Sequence, residues 1–141
     1  MRTRAIVLYD ADCGFCRFVL GLLLLWDRRR RLWPAPIAGA DGDRWLAAMA
    51  VEARGASWHL VESDGRVVSG GAGLPVAMAY LPGGWLVAAV LRRAPDAVER
   101  AYRWVASHRS LLSRFVPRVG VRRATALVKD RRRERPPVWA T

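Results

Sequence analysis

Apolar and polar positions fall into blocks whose period changes along the chain. Arg4 to Tyr9 is a short run rich in branched and aromatic side chains that stops at Asp10-Ala11-Asp12, the pattern of a buried strand. From about Cys13 to Trp26 the period becomes helical. Phe15, Phe18, Val19, Leu22, Leu23 and Trp26 share one face, and Leu20, Leu24 and Leu25 make the other side apolar too. This helix is predicted to be buried on most sides, at the centre of the core. Arg31 to Ile37 reads as extended, but Pro34 and Pro36 remove ladder donors on one side, which predicts an edge strand. Asp41 or Asp43 can cap a helix running to about Arg54, with Trp45, Leu46, Met49 and Ala53 inward.

Trp58 to Glu62 and Arg66 to Ser69 then flank Asp64-Gly65, a dipeptide suited to a hairpin turn with positive φ at both central residues. Ser69-Gly70-Gly71-Ala72-Gly73 lacks the Gly-Lys-Ser/Thr that would complete a phosphate loop, so it reads as a turn into a helix over Ala72 to Leu81. Pro75 would lie in that helix's first turn, and Pro82-Gly83-Gly84 would end it. Helices over Trp85 to Arg93 and about Asp96 to Phe115 follow, the second with a stripe of Val98, Tyr102, Val105 and Leu112. The order is that of an α/β, thioredoxin-like three-layer fold, βαβαββα around a mixed sheet, with extra C-terminal helices. Residues 1–115 are assigned to this domain. Residues 116–141 are expected to be a basic, loosely ordered tail, because Arg131-Arg132-Arg133 and Pro136-Pro137 favour neither core nor helix.

Composition narrows the function classes. A chain of 141 residues, 52% hydrophobic and 26% charged, suits one globular domain rather than two. Its longest apolar run, Phe18 to Trp26, is about half of the roughly 20 residues a membrane-spanning helix needs. The first apolar stretch is too short for a signal peptide, so a cytoplasmic location is expected. The net charge of +12 invites a nucleic-acid reading, yet half of it (+6) lies beyond Pro117, and Arg28 to Arg31 complement a helix C-terminus. The excess is almost all Arg among Ala, Val and Gly, which fits a compositional bias. Nucleic acid is therefore not the expected partner; a basic module on nucleic acid or an anionic membrane surface stands as the alternative.

Only two cysteines are present, three residues apart, which excludes a many-bridged secreted framework. On a helix this spacing puts Cys13 and Cys16 on one face, within reach of a reversible disulfide. A helix N-terminus would favour a thiolate at Cys13, the attacking sulfur, while Cys16, one turn inside, would resolve the mixed disulfide. Asp10 and Asp12 are candidate catalytic carboxylates, able to accept a proton but also to oppose a nearby thiolate. Asp12 also suits an N-cap, and Asp10 could satisfy loop amides. Metal binding through the two thiols is a further alternative, but His59 and His108 lack finger-like spacing, and His59 is expected at the surface or half-buried. No cofactor is expected.

Tyr9-Asp10-Ala11-Asp12-Cys13-Gly14-Phe15-Cys16 resembles the opening signature of the DCC family of predicted thiol-disulfide oxidoreductases, Tyr-Asp-Gly-Asp/Glu-Cys-x-x-Cys. The basic, proline-containing stretch Arg28 to Ile37, the hairpin region Leu60 to Ala72, Gly84-Trp85 and Tyr102 to Arg109 resemble later landmarks of that family, so the likeness covers roughly residues 4–112. It implies a thioredoxin-like fold, Cys13 and Cys16 as the redox pair, and protein or small-molecule thiols and disulfides as partners. Ala11 replaces the usual glycine, and Ser107-His108-Arg109 stands where an Asn-Arg pair is common. Gly55-Ala56-Ser57 has no counterpart of the proline that the wider thioredoxin superfamily places before its hairpin to dock substrate.

Overall fold

The computed structural model describes residues 3–141. Its elements, in chain order, are β1 (Ala5–Tyr9), α1 (Gly14–Trp26), β2 (Leu32–Pro36), α2 (Ala40–Trp45), α3 (Val51–Gly55), β3 (His59–Val61), β4 (Val67–Ser69), α4 (Gly70–Met78), α5 (Gly84–Leu91), α6 (Pro95–Ser107), α7 (Arg109–Ser113), α8 (Arg118–Arg133) and a 3-10 turn, Val138–Ala140. The strands form a mixed sheet of order β2-β1-β3-β4, with β2 parallel to β1 and the other pairs antiparallel. Strand alternation sends Ala5, Val7 and Tyr9 of β1 to one face and Ile6 and Leu8 to the other. The first set meets Leu20 and Leu24 of α1, Ala77 and Met78 of α4, and Val128 of α8. The second meets Leu46, with Trp45, Met49 and Trp139 packed around it. Helical cover on both faces explains why all of β1 is buried. The architecture is the expected thioredoxin-like one, and β2 lies at the sheet edge as its prolines require.

That edge is closed by side chains. Ala5 N–H donates to Arg31 O at 2.8 Å and Ile37 N–H to Tyr9 O at 2.9 Å, so the odd-numbered residues of β2 turn their backbone groups to β1 and Leu32, Pro34 and Pro36 turn theirs outward. Leu32 N–H donates to Asp27 Oδ2 at 2.8 Å. Leu32 O accepts from Arg131 Nη1 at 3.0 Å, and Pro34 O accepts from Arg132 Nη1 at 3.1 Å.

The segment after residue 116 therefore departs from expectation. It is not loose: α8 lies along α1, with Ala124, Val128 and Arg131 buried. The spacing 124, 128, 131 is an inward helical stripe, and its arginine is accommodated because Arg131 Nη1 meets the buried Asp27 carboxylate at 2.7 Å. Gly21 of α1 makes the approach possible, since a Cβ there would stand 2.5 Å from Ala124 Cβ. After α8, Trp139 donates to Arg4 O at 2.8 Å and meets Trp45 edge-on.

Other boundaries also differ. α1 buries Leu20, Gly21 and Leu24, while Leu22, Leu25 and Trp26 are exposed, so it is not enclosed on most sides. A helix apolar all round carries no phase for the pattern to report. The helix expected over 41–54 is broken into α2 and α3, with Gly39 rather than an aspartate at the first N-cap. Arg54 Nε donates to Met49 O at 3.0 Å and so satisfies a carbonyl at the break. The hairpin has a three-residue loop, Ser63-Asp64-Gly65. Gly65 N–H donates to Glu62 O, Glu62 N–H donates to Arg66 O, and φ is positive (+83°) only at Gly65. α4 begins at Gly70, two residues early, which puts Pro75 in its second turn. The long helix expected over 96–115 bends at His108 into α6 and α7.

Candidate active site

β1 ends in the turn Asp10-Ala11-Asp12, which delivers the chain to the start of α1. The N-cap of α1 is Cys13, not Asp12, and its Sγ accepts the N–H of Cys16 at 3.2 Å, taking the place an oxygen usually fills. The sulfur expected to attack thus sits at the positive end of the helix and receives the kind of hydrogen bond a thiolate would use. The next amide is held from elsewhere: Phe15 N–H donates to Ser113 Oγ of α7 at 3.3 Å. Both cysteines are free and half-buried.

The two sulfurs differ in surroundings. Burial, reinforced by the hydrogen bond of the Cys16 thiol to Cys13 and by the nearby Cys13 charge, pushes Cys16 up to about 12. Arg109 opposes this rise and Asp10 adds to it. Asp10 Oδ1 accepts the N–H of Asp12 at 3.0 Å, which is the loop-satisfying role, and Asp10 Oδ2 lies 3.7 Å from Arg109 Nη1. Asp12 is exposed on the turn. Of the four residues singled out from sequence, Cys13, Cys16 and Asp10 therefore share hydrogen bonds or electrostatic contact, and Asp12 touches them through its backbone.

Cys16 forms part of the wall of a cavity of about 390 Å³ between α1 and α6, a size usual for small-molecule sites. Phe15, Val19 and Leu23 line one side, and Val98, Ala101 and Val105 the other. Asp10, Arg109, Ser57 and Tyr102 supply its polar atoms. Ser57 Oγ and Tyr102 Oη are 3.0 Å apart, and Trp58 N–H donates to Tyr102 Oη at 3.4 Å. The loop that would carry the superfamily's docking proline is thus tied to α6 instead, and no cis peptide occurs among the described residues. In the sequence Arg109 stands only within a family landmark and Tyr102 there and in an apolar stripe, neither with a site role. The signal for them was the apolar stripe of α6 followed by an arginine, which does not say where the helix docks.

The histidines are elsewhere. His59 is buried, against expectation. It takes Ser69 Oγ at 2.6 Å on Nδ1 and donates from Nε2 to Arg54 O at 2.9 Å, which explains how a polar ring is tolerated there. His108 stacks on Trp104. Among the described residues no group of three or more His, Cys, Asp or Glu is placed to hold a metal ion, and no helix is long and apolar enough to cross a membrane.

A sequence model of one family, described as DCC1-like thiol-disulfide oxidoreductase, matches residues 7–115. No curated protein and no solved structure matches the chain.

Proposed function

The chain belongs to the DCC1-like thiol-disulfide oxidoreductase family, and from that premise we propose that Cys13 and Cys16 carry out dithiol-disulfide exchange with a protein or small-molecule partner. The observation that supports this most is the asymmetry of the pair: one sulfur caps a helix, and the other is held as a thiol one turn inside. Cys13 attacks a substrate disulfide, one substrate thiolate leaves, and a mixed disulfide remains on Cys13. Cys16 then attacks Cys13 Sγ, and the second substrate thiolate departs. The protein pair loses two electrons and two protons, and the substrate disulfide becomes two thiols.

The second step needs a base, because a thiol pushed up to about 12 is scarcely ionised at neutral pH. Asp10 fits that role. Its carboxylate lines the same cavity as Cys16 and is held by Arg109. Asp12, exposed on the turn that precedes Cys13, is the other candidate carboxylate of the site. Asp12→Asn is expected to slow reduction of a substrate disulfide, and an unchanged rate removes Asp12 from the site. The deciding experiment is a glutathione redox titration of the whole chain read by mass spectrometry. An intramolecular Cys13–Cys16 disulfide should form at a potential between roughly −270 and −120 mV, where dithiol proteins of this kind fall; a pair that stays reduced throughout refutes the reading.

A further inference from the structure

The cavity beside the dithiol is polar at one end and apolar along its length. Cys16, Asp10 and Arg109 interact with one another, whereas Leu23, on the same wall of α1, lies two turns away, about 10 Å along the helix at 1.5 Å per residue. Between those points neither α1 nor α6 contributes a charged group to the walls: Val19 and Leu20 face Val98, Ala101 and Val105. The polar end has a neighbour. Ser57, Tyr102 and Arg109 also border a second, shallower depression of about 480 Å³, which Glu99, Arg103, Ser69 and Ser107 furnish with charges and hydroxyls. Two unlike compartments thus meet at one rim, and the resolving sulfur, Cys16, stands in the apolar one, with the attacking Cys13 Sγ 3.2 Å from its backbone N–H.

A symmetrical polar disulfide would leave the apolar compartment unfilled, and a wholly apolar one would lay apolar surface over the Glu99–Arg103 ion pair and the Ser57 and Tyr102 hydroxyls of the depression. We propose that the disulfide reduced here is amphipathic: an apolar alkyl or aromatic thiol lies in the cavity against Cys16, and the polar thiol bonded to it lies across the Ser57-Tyr102-Arg109 rim. This rests on the dithiol reading above and adds its substrate class. Attack by Cys13 on the sulfur bearing the apolar group expels the polar thiolate, which takes up a proton from water. The apolar thiol remains on Cys13 with its chain in the cavity until Cys16 attacks Cys13 Sγ and expels it. Two thiols leave and one protein disulfide forms, so electrons and protons balance as before. Binding energy from the chain acts on the group next to the reacting sulfur, where it favours the productive geometry.

The test uses the reduced full-length protein in single turnover with mixed disulfides of glutathione and ethane-, butane- or octanethiol. Each rate is divided by that of dithiothreitol with the same compound, which removes intrinsic reactivity, and glutathione disulfide serves as the polar reference. The corrected rate should rise at least about tenfold from ethyl to octyl, since each further methylene is taken out of water. Ala101→Trp, which fills the cavity from α6, should bring the octyl-to-ethyl ratio to about one, whatever it does to the common rate; Val105→Phe tests the same wall one turn on if the tryptophan variant fails to fold. A flat chain-length series in a protein that glutathione disulfide oxidises overturns the amphipathic substrate and leaves the dithiol reading standing. A ratio that survives both cavity-filling variants also overturns it. If none of the disulfides oxidises the pair, the dithiol reading itself fails and this inference falls with it.

Discussion

Cys16 is held as a thiol well above neutral pH, so electrophiles should meet a reactive sulfur only at Cys13. Brief treatment of the reduced chain with iodoacetamide at pH 8, followed by peptide mapping, should therefore label Cys13 in large excess. Equal labelling of the two would contradict the roles given to them. His59 makes a second prediction. Burial lowers its pKa from the ordinary value near 6.5, so below that pH the unfolded chain binds more protons than the folded one. Stability is then full above about pH 6.5 and is lost as pH falls toward the depressed folded value. The urea midpoint should drop between pH 7.5 and 5.5, with a smaller drop in His59→Gln. At this scale the chemistry was legible where it was local: two cysteines three apart, after a strand, are visible in the sequence. The burial of His59 was not legible, because Ser69 and the Arg54 carbonyl, which satisfy its ring, come from other elements. Arg109 reaches Asp10 from nearly a hundred residues away, and nothing near either residue announces the pair.

Between elements, the contact of α1 with α8 is the most extensive in the molecule. It depends on a glycine and an ion pair. Gly21→Val would drive a branched side chain into Ala124, whose Cα already lies 2.8 Å from a Cβ placed at residue 21. The expected loss is about 1–3 kcal/mol by chemical denaturation, the usual cost of overpacking. Arg131→Met should cost more, about 3–5 kcal/mol, because it leaves the Asp27 carboxylate buried without its counter-charge. Replacing Asp27 and Arg131 together by apolar residues should not cost the sum of the single changes, although Leu32 N–H and Arg31 N–H would still lose their acceptor. The edge position of β2 was legible because proline's missing N–H is a local fact with one topological solution. The α8 stripe was not, since a row of arginines reads as solvated surface until a buried carboxylate from another element is known to face it.

On the scale of the whole molecule, the family match ends at residue 115, yet the inward face of α1 is completed by α8, which lies beyond that boundary. Removing residues 117–141 should abolish the cooperative thermal transition rather than trim a tail, as uncovering Leu20, Leu24 and the Asp27 carboxylate exceeds the roughly 5 kcal/mol that ordinary small domains have in reserve. A truncated chain with an unchanged midpoint would show that α8 is dispensable. The mixed sheet was legible because the element order suits the thioredoxin-like fold; the covering of the sheet by late helices was not, since it depends on which of several apolar faces meet. The sealing of β2 has a consequence for synthesis. Arg131 lies 99 residues after Leu32, whose carbonyl it caps, an interval of roughly 5–20 s at 5–20 residues per second. Until the ribosome has released α8, the outer carbonyls of β2 stand bare, and only Pro34, Pro36 and the Asp27 carboxylate that occupies Leu32 N–H deny a neighbouring nascent chain the donors it would need to zip onto that strand.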